Sequence, residues 1–142
     1  MVRSEGETAS FSESPNLPVS VKAALRCGDA WVLVRNDRGE WELPGGRIDP
    51  GDESLQAVVR RECLEELGVD VQVGSLIDSY LFEVIAGRRV VIVCFEATAP
   101  ADATFVVSDE HDAVGLFAFS ELADANLPDG YRAAISKAAG QR

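Results

Sequence analysis

The six residues from Val90 to Phe95, VVIVCF, form an uninterrupted apolar run. A run of this length without polar alternation is typical of a strand that is covered on both faces. The other strand patterns lie at 19–26, 30–36, 71–76, 79–86 and 115–119, and the helical patterns lie at 54–67 and 129–139. Strands and hairpins mixed with two helices belong to the α/β class, so we expect an α/β sandwich with a mixed sheet.

The length and charge of the chain limit its organisation and its partners. With 142 residues it has the size of one domain. Residues 1–16 are rich in Ser and Glu, so we expect a flexible N-terminal tail before a single domain at 17–142. The net charge of −11 disfavours a nucleic-acid polymer as partner. A small phosphate ligand remains compatible if a divalent cation supplies positive charge.

Cysteine usage and hydropathy bear on the compartment. The three cysteines are far apart and form no CxxC or zinc spacing, which argues against a disulfide framework. The sequence shows no signal-peptide pattern after Met1, and no apolar run reaches roughly 18 residues. We therefore expect a cytoplasmic protein that makes no membrane contact.

The helical pattern at 54–67 places charges where an apolar face is expected. Its apolar stripe runs from Leu55 through Val59, yet Glu62 and Glu66 fall about 20° to either side of the middle of that stripe. Burying carboxylates without partners is costly. Neighbouring arginines or a hard cation that takes several carboxylate oxygens are two ways to compensate them. A solvated acidic helix end is the third interpretation, and the spacing alone does not decide among the three.

The loop before this helix adds a second feature. Gly45 and Gly46 allow the backbone to approach a ligand closely, and Asp49–Asp52 is a tight turn that leads into the helix. The whole stretch from Gly45 to Val69 resembles the Nudix box, G-x5-E-x7-R-E-U-x-E-E-x-G-U, in which U is aliphatic. The chain matches the second half of this box with Arg61-Glu62-Cys63-Leu64-Glu65-Glu66-Leu67-Gly68-Val69, where a cysteine fills one aliphatic position.

One extra residue in the loop leaves the first acid of the box open. Counting back from Arg61 selects Glu53, whereas counting forward from Gly46 selects Asp52. We favour Glu53, because a rigid helix preserves spacing better than a loop does. Asp52 is the alternative, or it caps the helix.

The resemblance implies a Nudix-type α/β/α sandwich with a mixed β-sheet and a hydrolase that cleaves a nucleoside diphosphate linked to another group, X. It further implies that water attacks one phosphorus while divalent cations, usually Mg²⁺ with Mn²⁺ able to substitute, hold the phosphates. Nucleoside triphosphates, ADP-ribose, nucleotide sugars and dinucleoside polyphosphates all fit this chemistry. The alternative is a Nudix-fold module that binds a nucleotide without cleaving it, and the complete set of box glutamates favours the enzyme. Whether the chain forms a homodimer is left open.

The resemblance also assigns roles to individual residues. Arg61 orients a glutamate and holds the loop to the helix, while Glu62 and Glu66 are the leading metal ligands. The predicted metal ligands are Gly45, through its carbonyl, Glu53, Glu62, Glu65 and Glu66. The predicted catalytic residues are Arg61, Glu62, Glu65 and Glu110.

The resemblance places the general base either among the box glutamates or in a later acidic loop. Ser108–Asp112 is such a loop here, and we favour its Glu110. His111, the only histidine, is interpreted as a solvent-exposed residue of this polar loop. The residues predicted to contact the substrate are Arg35, Gly46 and Arg47. For the aromatic residues of the extended segments we expect core packing, with base stacking as the alternative: Trp31, Trp41, Tyr80 and Phe82.

Overall fold

The computed structural model describes residues 16–140, so all but one residue of the predicted tail at 1–16 lies outside the described residues. The strands are β1 Val19–Cys27, β2 Ala30–Arg35, β3 Trp41–Glu42, β4 Gly45–Arg47, β5 Gln72–Ile85, β6 Arg88–Ala99 and β7 Ala113–Phe117. The helices are α1 Leu55–Leu67, a 3₁₀ helix Phe119–Asp124 and α2 Asp129–Gly140. Within residues 16–140, none of the helices combines the length and hydropathy that a membrane-spanning segment needs.

The strands form one mixed sheet. Its central path runs in the order β3-β2-β1-β6-β5, while β4 pairs with β1 and β7 pairs with β2. The pairing of β1 with β6 is parallel, from Val19 opposite Val91 to Cys27 opposite Ala99. The pairings of β1 with β2 and β4, and of β5 with β6, are antiparallel. The predicted mixed sheet is therefore confirmed.

Each face of the sheet is covered by one helix. On one face α1 contributes Val59 and Leu67 to a buried cluster that includes Phe95. On the opposite face Ile92 belongs to a second cluster together with Ile135 of α2. The apolar run of β6 thus supplies both cores, which explains why it lacks polar alternation.

Strand β5 differs from the prediction of two separate strands at 71–76 and 79–86. It is one strand of 14 residues that pairs with β6 throughout. Register shifts lie between Val73 and Leu76 and between Leu76 and Asp78. An extra residue at such an irregularity interrupts the period-two pattern without ending the strand, so the sequence suggests a break that the backbone does not make. Strand β7 likewise begins two residues before the predicted start, at Ala113.

The ends of α1 are fixed by local capping. The Ser54 side chain accepts a hydrogen bond from the Ala57 N–H at 3.0 Å, which satisfies one donor of the first turn. Gly68 follows the last turn at φ 71° and donates its N–H to the Leu64 carbonyl at 2.9 Å. Strand β4 passes along α1, so the carboxylates of Glu62 and Glu66 face Gly45 and Gly46.

Candidate active site

Glu66 is the most deeply buried acidic side chain of the described residues, with 3% of its surface exposed. Its Oε1 accepts a hydrogen bond from the Gly45 N–H at 3.3 Å. No lysine, arginine or histidine of residues 16–140 forms an ion pair with it. Burial raises the pKa of Glu66, and the nearby charge of Lys22 opposes that rise. An arginine or a hard cation could compensate the buried carboxylate of Glu66. Pairing with an arginine is therefore not observed for Glu66.

Glu62 lies one turn earlier, and 12% of its side chain is exposed. It packs directly on Gly46, where an added Cβ would come within 2.7 Å of the Glu62 Cδ. Only glycine leaves room for this carboxylate. Burial raises the pKa of Glu62, although Arg61 Nη1 lies 3.4 Å from its Oε2 and acts in the opposite direction.

A third carboxylate reaches the same spot from a distant part of the chain. Glu110 is exposed in the loop before β7, and one carboxylate oxygen each of Glu62, Glu66 and Glu110 lie within 4.8 Å of one another. This donor set fits a hard divalent cation, which binds several oxygen ligands at once. The structure thus brings the residue that we favour as general base to the two leading metal ligands.

Arg61 connects the loop to the helix, and its partner is Asp52. The Arg61 Nε and Nη2 each donate to Asp52 at 2.9 Å, and only 7% of the Asp52 side chain is exposed. These hydrogen bonds lower the pKa of Asp52 and raise that of Arg61. Glu53, in contrast, is exposed and forms no hydrogen bond or ion pair within residues 16–140.

The structure therefore brings Asp52, and not the favoured Glu53, to Arg61. The reason lies in where α1 begins: Ser54 is its N-cap, so both acids precede the helix and its regular spacing does not reach them. Asp52 instead closes the turn, since its N–H donates to the Asp49 carbonyl at 3.0 Å and its Oδ2 accepts from the Asp49 N–H at 2.8 Å.

Arg61 also holds two other predicted site residues. Its Nη2 donates to the Arg47 carbonyl at 2.9 Å, and its Nη1 donates to Glu65 Oε1 at 3.0 Å. The Glu65 side chain is 57% exposed and lies on Arg61, outside the cluster of three carboxylates. The metal-ligand roles of Glu65, Glu53 and the Gly45 carbonyl stay predictions.

The loop that carries Glu110 is held by the two residues that follow Glu110. Asp112 accepts from Arg35 Nε at 2.7 Å, and its N–H donates to the Arg35 carbonyl at 3.0 Å. In the second contact of this loop, His111 Nε2 lies 2.9 Å from Glu42 Oε1. Arg35, predicted to bind substrate, is thus engaged with this loop.

The expectation of a solvent-exposed His111 is wrong, because only 8% of its side chain is exposed. The hydrogen bond to Glu42 raises the pKa of His111, and its Nδ1 is buried without a partner among the described residues. Burial would raise the pKa of Glu42, but His111 and Lys22 outweigh it and the pKa is lowered. Nothing in the sequence signals this pair, because its members are 69 residues apart.

A cavity of about 170 Å³ adjoins these residues. Trp41, Phe82 and Tyr131 supply its aromatic lining, and Lys22 and Arg47 supply cationic side chains. The register of β1 and β4 places Lys22 opposite Gly45, the residue that binds Glu66. The cavity and the carboxylate cluster are therefore neighbours. Trp31 is 3% exposed and lies in the core, and Trp41, Tyr80 and Phe82 pack against that core, as expected.

Comparison with known proteins decides the family. A model of the NUDIX domain matches residues 17–137. The chain belongs to the Nudix family. The CTP pyrophosphohydrolase of Escherichia coli (strain K12) is 44% identical over 76 residues, which are 49% of this chain and 55% of that protein. This Nudix chain therefore matches about half the length of that curated relative.

Solved structures agree with the family and with the predicted fold. The MutT protein from Methanosarcina mazei Go1 is 28% identical with a TM-score of 0.73, over 87% of this chain and 94% of that one. The NUDIX domain of Shewanella oneidensis NrtR, solved with ADP ribose, is 20% identical with a TM-score of 0.75, over 98% and 99% of the two chains. At that identity the second likeness concerns the fold alone. The name of the E. coli relative supports the predicted hydrolase class.

Proposed function

We propose that this Nudix protein is a nucleotide pyrophosphohydrolase that depends on Mg²⁺, with Mn²⁺ able to substitute. The observation that carries the proposal is the convergence of Glu62, Glu66 and Glu110 within 4.8 Å beside a cavity with aromatic and cationic walls. A nucleotide diphosphate and an acidic cluster repel each other unless a cation lies between them. The arrangement therefore suits a substrate that arrives with, or binds beside, a divalent cation.

Glu62 and Glu66 are the residues that we propose to hold the cation. Both come from a rigid helix, and both are largely buried, so they offer oxygens that need positive charge. A bound divalent cation neutralises charge on the phosphoryl oxygens and lowers the pKa of a coordinated water. Arg61 keeps the loop on the helix through Asp52, so its role is to position the glycine pair and the carboxylate that packs on it.

Glu110 is proposed as the general base. It lies on an exposed loop next to the buried pair, so water reaches it. Its carboxylate accepts a proton from the attacking water, whose oxygen forms the new bond to phosphorus. The bond from that phosphorus to the bridging oxygen then breaks, and the bridging oxygen leaves with the other phosphate group.

A nucleoside triphosphate is the substrate class that we propose. The cavity of about 170 Å³ is smaller than the roughly 300–1,000 Å³ of pockets that enclose a whole ligand, so it suits only part of a nucleotide. Trp41 and Phe82 offer ring faces for a base, while Arg47 lies on the side of β4 and the carboxylates. The E. coli relative named for CTP makes this class the first to test.

The alternative, a module that binds a nucleotide without cleaving it, is less well supported. Such a module has no need of three carboxylates in one place, and each costs stability when it is crowded with the others. Glu62, Glu66 and Glu110 are all present and convergent, which favours the hydrolase.

A nucleotide panel tests the proposal. The full chain is incubated with nucleoside triphosphates, ADP-ribose and nucleotide sugars, with Mg²⁺, with Mn²⁺ or with EDTA. Mass analysis of products formed in ¹⁸O-labelled water then locates the attacked phosphorus. We expect turnover of at least one triphosphate that EDTA abolishes and either metal restores. Equal turnover after thorough chelation, or no turnover of any member with metal, would contradict the proposal.

A further inference from the structure

Lys22 occupies an unusual position for a lysine. It lies within β1, only 8% of the residue is exposed, and it lines the cavity beside the carboxylate cluster. Its Nζ lies 5.9 Å from the centre of the Tyr131 ring, at the outer limit of a cation–π contact. Lysine is almost never this buried in proteins unless its charge is paired.

The Lys22 ammonium has no such pairing within residues 16–140. No hydrogen-bond acceptor binds its Nζ there, and no carboxylate lies within 4.0 Å of it. The two acids that line the same cavity have partners other than Lys22. Glu40 pairs with Arg38 at 2.9 Å, and Glu42 contacts His111 at 2.9 Å. An ammonium is a strongly hydrated group with three donors, so this one is well placed to bind an anionic or carbonyl oxygen in the cavity.

The position of Lys22 indicates which part of a nucleotide it meets. Its backbone lies opposite Gly45, whose N–H binds Glu66, and its side chain lines the same cavity as Trp41 and Phe82. Lys22 therefore borders both the residue that binds Glu66 and the cavity proposed for the base. In a nucleotide, the group between the base and the terminal phosphates is the ribose with its first phosphate.

We infer that Lys22 is a substrate-binding residue that contacts the phosphate attached to the nucleoside, an inference that rests on the function proposed above. Arg47 lines the cavity from β4 and forms no side-chain ion pair within residues 16–140, so it can supply a second cation to the same phosphate.

The competing role for Lys22 is purely structural: its charge offsets the buried carboxylates of Glu66 and Glu42. Both roles predict that a neutral residue at this position weakens ligand binding. They differ in which ligands are affected, because loss of a structural counter-charge affects every ligand alike. A phosphate contact affects only ligands that carry the phosphate.

Two ligands that differ only by one phosphate separate these roles. Calorimetry measures the binding of CMP and of cytidine to the full chain in EDTA, with GMP and guanosine as a second pair. Lys22→Met keeps most of the side-chain length and removes the charge. We expect CMP or GMP to bind Lys22→Met about 10- to 100-fold more weakly than wild type, the usual range for a hydrogen bond to a charged group, while the nucleosides change by less than about twofold. Lys137→Met, an exposed lysine paired with Asp78, is the matched control.

A measurement on the unaltered protein guards against misfolding of the variant. The chain has only two lysines, Lys22 and Lys137, so ¹³C-lysine labelling gives two side-chain signals that Lys137→Met assigns. We expect CMP, but not cytidine, to move the Lys22 signal and to leave the Lys137 signal in place. Nucleoside and monophosphate that bind wild type equally, or that lose affinity equally in Lys22→Met, would overturn the inference. If metal-dependent turnover persists in either case, the proposed function stands without it.

Discussion

Arg61 and Asp52 face each other through two parallel hydrogen bonds, Nε to Oδ1 and Nη2 to Oδ2, each 2.9 Å long. Paired bonds of this kind between arginine and a carboxylate fix orientation as well as distance. The contact ties the turn before α1 to the middle of the helix. Because the same arginine reaches the Arg47 carbonyl, it also fixes the path of β4 past the carboxylate cluster.

Replacing each of the two adjacent acids by its amide, one at a time, tests this contact. Asp52→Asn removes the charge that faces Arg61, so the loop and the glycine pair lose their anchor. We expect turnover to fall on the order of 10- to 100-fold, the scale of a small displacement at a reacting centre. Glu53→Gln, on an exposed side chain, is expected to stay near wild type. Steady-state kinetics on both variants measures the difference, and the reverse ranking would restore Glu53 as the first acid of the box.

Gly46 offers a test of how closely Glu62 must approach the backbone. In Gly46→Ala the new methyl group would meet the Glu62 carboxylate, with Cδ only 2.7 Å away, so that carboxylate must move. We expect a large loss of metal-dependent turnover with little change in the stability of the folded protein. Gly51→Ala, in the same loop, is the matched control, because nothing lies within 4 Å of its added Cβ. Similar activity of the two variants would show that Glu62 has no fixed role.

The proposed base has its own test. Glu110→Gln keeps the size of the side chain but cannot take up the proton, so we expect kcat to fall by about 10²-fold or more. The affinity for Mg²⁺, followed by titration, should change little. Asp109→Asn in the same exposed loop controls for a general loss of charge. A normal kcat would move the base into the helix, and a lost metal affinity would make Glu110 a metal ligand.

The ion pair of Arg35 and Asp112 is expected to position the Glu110 loop. Their side chains are 40% and 53% exposed, so the pair contributes only about 0–1 kcal/mol and its loss should lower kcat a few-fold. We expect Arg35→Met and Asp112→Asn to act alike, and the double variant to be no worse than either. If Arg35 instead binds the substrate, KM rises in Arg35→Met alone, which kinetics on the three variants reveals.

Most of the fold could be predicted from the sequence because the informative patterns are local. The apolar run of β6 requires cover on both faces, and the cap residues Ser54 and Gly68 bound α1 almost to the residue. The irregularities of β5 were not foreseeable, because they depend on pairing with β6 and leave no local mark. The box glutamates were found in the same way as α1, from their spacing on one helix.

The parts of the site that sequence reasoning missed are those that need tertiary contact. Glu42 and His111 meet across 69 residues, and Lys22 becomes part of the cavity only because β1 pairs with β4. The choice between Asp52 and Glu53 is difficult to make from the sequence for a related reason. Regular spacing holds inside a helix, and both acids lie in the turn before it. Glu110 was reached from its acidic loop, although its proximity to α1 depends on the whole fold.

The central claim is that Glu62 and Glu66 form a cation site and do not serve the fold. Without metal their mutual repulsion near the core is a standing cost, on the order of 1–2 kcal/mol. Replacing Glu66 by Gln keeps an oxygen for the Gly45 N–H and removes that repulsion. The metal-free variant should therefore be at least as stable as the metal-free wild type, while its activity collapses.

Thermal melts of wild type and Glu66→Gln, each with Mg²⁺ and with EDTA, test this claim most directly, with the exposed Glu53→Gln as control. We expect Mg²⁺ to raise the Tm of wild type and of the control, because it binds the folded form, and to raise that of Glu66→Gln much less. The contradicting result is a loss of about 3–5 kcal/mol in the metal-free variant, the cost of breaking a buried ion pair, together with no Mg²⁺ shift in wild type.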